Sequence, residues 1–294
     1  MTQPDLRSIA REAEIFDGAP PISDQALLAA EQGRRRVFGA GSDAVGILGE
    51  GELDLVVRPG ARGNGLGTRL LAQLLDAAGT DELRAWSHGE NPAATALLTR
   101  AGFAPIRVLF RLALDIAQLD AAVADARPLP EGFSIEVFDG AADTGGPDSP
   151  RESEWVRVNA AAFADHPEQG AITLDDFRST MAQPWFDPND LLLAIDETNG
   201  AIAGYGWIKT IAGGTPDAAP ETELYVLGVS PEYAGRGLGA ALFGASLARM
   251  RDLGTSRITL YVDESNTNAV QLYMRGGFTI DQRSTQWLRS TPPI

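Results

Sequence analysis

Backbone amides, rather than side chains, are the first groups whose spacing in this chain implies chemistry. The run Arg62-Gly63-Asn64-Gly65-Leu66-Gly67 returns 172 residues later as Ala234-Gly235-Arg236-Gly237-Leu238-Gly239. Each copy follows an apolar strand pattern and opens a helical one. A strand that enters Gly-x-Gly at a helix start leaves unpaired N–H groups converging on one point, reinforced by the positive end of the helix dipole. That environment suits a pyrophosphate. Glycine allows positive φ in the turn and removes the Cβ that would hold a phosphate off the backbone. Neither copy is a Walker loop, since no Gly-Lys-Ser/Thr follows, and neither is a dinucleotide fingerprint with an acidic residue on the next strand about twenty positions later. A purely structural reading stands beside this one, in which Gly65, Gly67, Gly237 and Gly239 permit close helix packing.

The elements around the turns repeat as well. Leu55, Val57 and Pro59 answer Leu227, Val229 and Pro231 at the same offset. Asn91, Ala94, Leu97, Arg100, Gly102 and Phe103 answer Asn266, Ala269, Leu272, Arg275, Gly277 and Phe278 at an offset of 175. The chain is an internal duplication. Its 294 residues are enough for two domains with separate cores. The division is expected at 1–128 and 129–294, because residues 125–132 hold two prolines and no apolar period.

In the first repeat the patterns predict a helix over 24–30, strands over 36–40, 44–48 and 53–57, and a helix over 66–78. A strand over 83–87, a helix over 92–100 and a strand over 108–114 follow. In the second repeat they predict a strand over 134–138, helices over 152–163 and 174–181, and strands over 191–195, 205–211 and 224–229. A helix over 238–253, a strand over 257–262, a helix over 267–275 and a closing strand over 278–288 complete it. Residues 140–150 read as a polar, glycine-rich loop. This order is mixed α/β (α+β).

Composition narrows the partners. Forty acidic against twenty-four basic residues give a net charge of −16, which disfavours nucleic acid. The absence of cysteine removes disulfides, thiolate nucleophiles and thiolate metal sites. With neither a secretory leader pattern nor an apolar run of about 20 residues, a cytoplasmic location away from membranes is expected. Two covalently joined halves suit a monomer.

Arg62-x-x-Gly65-x-Gly67, after Val-x-Pro and before an apolar helix, resembles the acyl-CoA pyrophosphate motif of the GCN5-related N-acetyltransferases. The block from Asn266 to Phe278 resembles the next helix and strand of that fold. The second copy departs by carrying Ala234 where the family usually has arginine or glutamine, which alters little if the backbone does the binding. Four further blocks are Asn159-Ala160-Ala161 with Phe163, His166-Pro167-Glu168-Gln169-Gly170, Trp185-Phe186-Asp187-Pro188 and Tyr225-Val226-Leu227-Gly228-Val229. They resemble tandem members of the family that acetylate the cysteinyl amine of a cysteine-glucosamine-inositol pseudodisaccharide.

The resemblance implies two tandem acetyltransferase domains, each a mixed, mostly antiparallel sheet flanked by helices, with acetyl-CoA as cosubstrate, a small thiol-sugar as acceptor and no metal. It carries acetyl-CoA contacts onto Leu55, Val56, Val57, Gly63, Asn64, Gly65, Leu66, Gly67 and Thr68 of the first repeat. In the second it carries them onto Leu227, Gly228, Val229, Ala234, Gly235, Arg236, Gly237, Leu238, Gly239 and Ala240. Asn266, Thr267, Asn268, Ala269, Val270 and Gln271 complete the set.

Amine acetylation needs a base for the ammonium proton, donors for the developing oxyanion and an acid for the departing thiolate. The resemblance implies Glu223 as base, directly or through water, backbone N–H groups around Leu227 to Val229 for the oxyanion, and Tyr273 as acid. The first repeat has Gly51 and Leu98 in the places of Glu223 and Tyr273, with Glu50 and Glu52 nearby. Residues 129–294 are therefore expected to catalyse, and 1–128 to be a non-catalytic copy still able to hold acetyl-CoA. For the acceptor the resemblance nominates Asp24, Glu168, Lys209, Glu223 and Tyr261. Each site residue also has a plain reading: Glu223 as a solvated strand-end carboxylate with Glu221 its competitor, Tyr273 as a core aromatic, Asp24 as a helix cap, Lys209 and Tyr261 as ordinary strand residues. His166 reads as structural. Two other functions stay open, the acetylation of another primary amine (an aminoglycoside, polyamine or protein N-terminus) and a non-catalytic acyl-CoA sensor, against which Glu223 and Tyr273 argue.

Overall fold

The structure is a computed structural model that describes residues 5–39, 41–79, 82–139, 150–164, 169–213 and 218–290. Contacts divide the chain into two compact units, one of residues 1–111, 263–266 and 281–294, the other of residues 112–262 and 267–280. This partition cuts across the linear repeats, because each repeat gives part of its last strand to the other unit.

The first unit holds helices α1 (Leu6–Asp17) and α2 (Asp24–Glu31), strands β1 (Arg36–Gly39), β2 (Ala44–Gly49) and β3 (Glu52–Val57), then α3 (Leu66–Ala78), β4 (Leu83–Ser87) and α4 (Pro92–Arg100). Strand β5 (Ala104–Leu114) contributes residues to both units. β1, β2 and β3 form an antiparallel meander, and β3 runs parallel to β4 across the α3 connection. Leu70, Leu71 and Leu74 recur at helical spacing and bury one face of α3 against Leu53, Leu83 and Ala85.

The second unit opens with α5 (Leu119–Ala124), β6 (Phe133–Val137), α6 (Pro150–Ala162) and α7 (Leu174–Met181), the last fixed by a capping box between Thr173 and Asp176. Strands β7 (Leu191–Asp196), β8 (Ile202–Ile211) and β9 (Glu221–Val229) follow, then α8 (Leu238–Asp252), β10 (Arg257–Asp263) and α9 (Thr267–Arg275). β6 to β9 are antiparallel, and β9 runs parallel to β10 across α8. Each unit is thus a mixed, mostly antiparallel sheet in which the glycine-turn helix bridges the parallel pair. The core of the second unit is aromatic: Trp155 stacks on Phe177 at 4.2 Å, and Trp207 meets Trp155 edge-on at 5.5 Å.

Strand β11 (Thr279–Arg289) closes the first unit, although it is last in sequence. Thr285 to Arg289 pair antiparallel with Ser87 back to Leu83. Trp287 enters the first core beside Leu83 and Ala85, and its indole N–H donates to Ser87 Oγ at 2.9 Å.

Most of the expected elements occur at or near their expected bounds, and the differences have physical causes. α1 was not expected because its buried side is made of Ile9, Ala10 and Ala13, two of them alanines, among charged residues. α5 is also additional, a six-residue helix just before the proline-containing stretch. β8 begins three residues earlier than expected because Gly204 and Gly206 weaken its strand signal. A Cβ would meet Gly228 O at 2.7 Å in the first and Ser246 Oγ at 2.6 Å in the second, so close backbone approach explains both. The loop read over 140–150 falls, apart from Pro150, outside the described residues.

Candidate active site

In the second unit the ladder between β9 and β10 runs from Glu221↔Arg257 to Leu224↔Leu260 and ends there. Beyond it, Val226 to Val229 pair only with β8. The two parallel strands therefore splay, and the opening leads along β9 to Gly235 and Gly237. The register on the β8 side also shifts: Ile208 faces Leu224 and Trp207 faces Val226, leaving Tyr225 as an extra residue in a bulge. Past the bulge Leu227 and Val229 pack toward Leu238 and Leu242 of α8. The first unit repeats the splay, since β3 and β4 pair only at Glu52↔Arg84 and Leu53↔Ala85.

The turn backbones match the chemistry read from their glycines. Gly65 and Gly237 are the N-caps of α3 and α8, with φ of 72° and 91°, and neither helix start has a side-chain cap. By contrast α1, α2, α4 and α7 are each closed by a side chain, from Asp5, Ser23, Asn91 and Thr173. The first-turn N–H groups of α3 and α8 are thus left for an anion, which is the fit a CoA pyrophosphate needs. At Gly67 and Gly239 an added Cβ would find only ordinary contacts, 3.6 Å and 3.7 Å to Val57 and Val229, so close packing does not explain these glycines. Asn64 Nδ2 donates to Ala61 O, Leu66 joins the partly buried shell of the first core, and Thr68 is exposed. Leu55 and Val57 pack beneath α3, and Val56 faces α1. Ala234 and Arg236 are exposed, Leu238 is buried, and Ala240 lies in the first turn of α8.

Glu223 stands inside β9, directly opposite Lys209 of β8 and Thr259 of β10. Opposed residues share a face, with Cβ atoms about 5 Å apart. Two residues along β10 from Thr259, Tyr261 returns to that face. Lys209 Nζ lies 5.4 Å from the Trp185 ring centre and 5.9 Å from that of Tyr225, a cation–π arrangement. The structure therefore gathers Glu223, Lys209 and Tyr261 on one face beside the splay. The aromatic partners of Lys209 were not read as site residues, although the cluster Trp185-Phe186 offered a signal. Asp24 lies in the first unit as the first residue of α2, where Ser23, not Asp24, is the cap and accepts from Ala26 N at 3.2 Å. Glu168 and His166 lie outside the described residues. The chain beside them is anchored: Asn159, fully buried, accepts from Tyr205 Oη at 2.6 Å and from Gln169 Nε2 at 3.0 Å, and donates to Gln169 O at 2.7 Å.

Tyr273 projects from α9 into the second core, 7% exposed, with Phe243 edge-on at 5.3 Å and Phe278 at 6.3 Å. Burial raises its pKa well above the ordinary phenol value, so it remains a protonated donor. Thr267 to Gln271 form the first half of α9. Asn266, which precedes them, belongs to the first unit, where its N–H donates to Asp263 O at 3.0 Å.

The matching places in the first unit differ. Gly51, the counterpart of Glu223, sits with Glu50 in the left-handed turn between β2 and β3, at φ of 75° and 55°. Glu50 and Glu52 are held by Arg35 at 2.9 Å each, and Asp54 by the same guanidinium at 3.4 Å. Burial pushes the Glu50 carboxyl up, but the bonds from Arg35 and Arg34 outweigh it and hold the pKa below its usual value. Held this way, Glu50 is a poor proton acceptor. Leu98, the counterpart of Tyr273, is a core residue. Arg62, the first residue of the motif, forms two 2.7 Å bonds to Asp17 and a third to Val57 O.

Among the described residues no three His, Cys, Asp or Glu side chains converge as a metal cage, and no helix is long and apolar enough to cross a membrane.

Comparison with known proteins adds to this geometry. The profile of the acetyltransferase (GNAT) family matches residues 28–103 and 155–278. A mycothiol acetyltransferase of Geodermatophilus obscurus is 38% identical, over 96% of this chain and 92% of that protein. One from Thermobispora bispora is 40% identical, over 92% of this chain and 90% of the other. Among solved structures, a tandem GNAT protein of the clavulanic acid biosynthesis pathway superposes with a TM-score of 0.68 at 17% identity, over 99% of this chain and 97% of that one. A GCN5-related N-acetyltransferase from Sphaerobacter thermophilus gives 0.63 at 22% identity, over 99% and 93%. At these identities the structural likeness speaks for the fold.

Proposed function

Because the chain belongs to the acetyltransferase (GNAT) family, whose profile matches it in two regions, and is similar over most of its length to mycothiol acetyltransferases, we propose that it moves the acetyl group of acetyl-CoA to the cysteinyl amine of desacetylmycothiol (Cys-GlcN-Ins), the last step of mycothiol biosynthesis. The observation that carries the assignment of roles is the difference between the two splays. In the second, a carboxylate inside β9 faces Lys209 and shares its face with Tyr261; in the first, the corresponding position is a turn glycine.

The proposed mechanism is direct attack. Glu223 takes the ammonium proton, directly or through a water, and the freed amine attacks the thioester carbon. Backbone N–H groups between Leu227 and Val229, where β9 has left β10, hold the developing oxyanion. Tyr273 gives its proton to the sulfur as the C–S bond breaks, and its phenolate recovers a proton from the attacking nitrogen, directly or through water, yielding the amide and CoA thiol. The acceptor is held by Glu223, Lys209 and Tyr261, with Glu168 and Asp24 as further contacts. Acetyl-CoA lies along the β9 edge with its pyrophosphate on the amides of Gly235 to Ala240, and on the start of α9 from Asn266 to Gln271. Residues 129–294 do the chemistry. Residues 1–128 keep the cradle without the proton carriers and hold acetyl-CoA without turning it over. The protein acts as a cytoplasmic monomer on a small molecule, with no part for metal, nucleic acid or membrane.

The test is an assay of free CoA and acetylated product over a panel of amines that includes desacetylmycothiol. Preferential turnover of desacetylmycothiol is the expected result. Equal or better turnover of an aminoglycoside, polyamine or peptide would overturn the acceptor, and acetyl-CoA binding without turnover of any amine would make the protein a sensor.

A further inference from the structure

The stretch between the repeats lies along the start of α8. A Cβ added at Gly244 would fall 2.5 Å from Ala126 Cβ, so the missing side chain lets the connecting chain seat directly on the helix. Leu129 packs with Leu238 and Leu242. These anchors leave Arg127 over the turn: a Cβ at Gly237 would lie 3.4 Å from its Nη1 and 3.5 Å from its Cδ. Arg127 is exposed, and among the described residues its guanidinium has neither an ion pair nor a hydrogen bond. The cation within the turn, Arg236, is committed elsewhere, lying 5.1 Å from the Tyr233 ring centre with Nη2 on Glu232 O at 3.5 Å.

The first unit reaches the same arrangement by another route. There a Cβ at Gly65 would lie 3.4 Å from Nη1 of Arg69, which comes from α3 itself and donates to Asn64 O at 3.2 Å. The position equivalent to Arg69 in the second repeat is Ala241, on the buried side of α8. Each left-handed cap glycine thus has one guanidinium at the same distance, from its own helix in one unit and from the connecting segment in the other. In a chain of net charge −16 a local cation is what an anionic cosubstrate requires.

Resting on the reading that acetyl-CoA occupies the second turn, we propose that Arg127 is a cosubstrate-binding residue that pairs with the CoA diphosphate, taking at the second turn the place that Arg69 has at the first. The test compares wild type with Arg127→Gln and Arg127→Lys, using acetyl-CoA, acetyl-dephospho-CoA, which keeps the diphosphate, and S-acetylpantetheine, which lacks it. Arg127→Gln is expected to raise KM for both diphosphate-containing thioesters about tenfold with kcat within about twofold, and to leave KM for S-acetylpantetheine unchanged. Arg127→Lys should recover most of the loss, and added salt should weaken acetyl-CoA binding more in wild type than in Arg127→Gln. An unchanged KM for acetyl-CoA, or an equal rise for all three thioesters, overturns the proposal; a rise confined to acetyl-CoA moves the contact to the 3′-phosphate and overturns the diphosphate assignment. Wild type that binds no acetyl-CoA at the second turn would remove the underlying reading instead, a distinct result.

Discussion

Replacing Tyr273 by phenylalanine separates the proposed acid from the core aromatic. The ring is 7% exposed and contacts Phe243 and Phe278 at 5.3 Å and 6.3 Å, contacts that a phenylalanine keeps. Among the described residues the phenol donates no hydrogen bond to protein, so the substitution leaves no partner stranded, and its cost in stability should stay below about 1 kcal/mol. The catalytic cost should be far larger. A positioned proton donor is worth roughly 10²- to 10⁴-fold in rate, about 3 to 5 kcal/mol of barrier. Because burial holds the Tyr273 pKa above the ordinary phenol value, loss of its proton should not shape the alkaline limb of wild-type kcat. The assay follows CoA thiol release under single-turnover conditions, beside a calorimetric Tm for the same preparations. A kcat within twofold of wild type at unchanged Tm would refute the acid role and leave Tyr273 as packing. Tyr273→Leu, which installs the residue of the first repeat, should lose activity together with Tm.

Glu223→Gln should lower kcat/KM by roughly 10²-fold or more near neutral pH, with the gap to wild type narrowing as pH rises and the acceptor amine loses its proton unaided; a constant gap across pH would sink the base role. Gly237→Ala forces a side chain into φ of 91° at an uncapped helix start, costing about 1 to 2 kcal/mol and raising KM for acetyl-CoA, while Gly65→Ala should leave turnover intact; equal losses of turnover would count against a single catalytic half. His88 is half-buried with its Nε2 shielded and without a hydrogen bond, and desolvation lowers its pKa to about 4 from 6.5, so the folded state resists protonation that the unfolded chain accepts. Stability should be constant above pH 6.5 and fall by roughly 2 kcal/mol on going to pH 4.5, a loss that denaturant titrations should find reduced in His88→Asn.

The duplication, the glycine turns and most elements were legible because their signals are local: an apolar period, a cap, a glycine at a helix start. What was not legible depends on partners distant in sequence. Nothing in the residues around Glu50 and Glu52 announces that Arg35 binds both, a contact that holds the Glu50 carboxyl below its usual pKa. The bulge at Tyr225 exists only relative to β8, and it decides which side chains of β9 face α8. Lys209, Glu223 and Tyr261 lie far apart in the chain and share a face through register alone. Asp24 and Glu168 rested on resemblance, and Glu168 lies outside the described residues while Asp24 stands at the start of α2 in the first unit.

The exchange of closing strands has a consequence for how the polypeptide comes to exist. Trp287, which fills the core of the first unit and binds Ser87, is synthesised 200 residues after that serine. The first unit therefore cannot be completed until the second repeat has been made, and its early strands must wait with one edge open, a state that invites wrong pairing. Sequence separations of about 200 residues between paired strands also make the final step slow. A gene cut between the repeats would leave the first fragment without the strand that carries Trp287, so this duplication has become indivisible, and deletion of residues 283–289 should unfold the half encoded first.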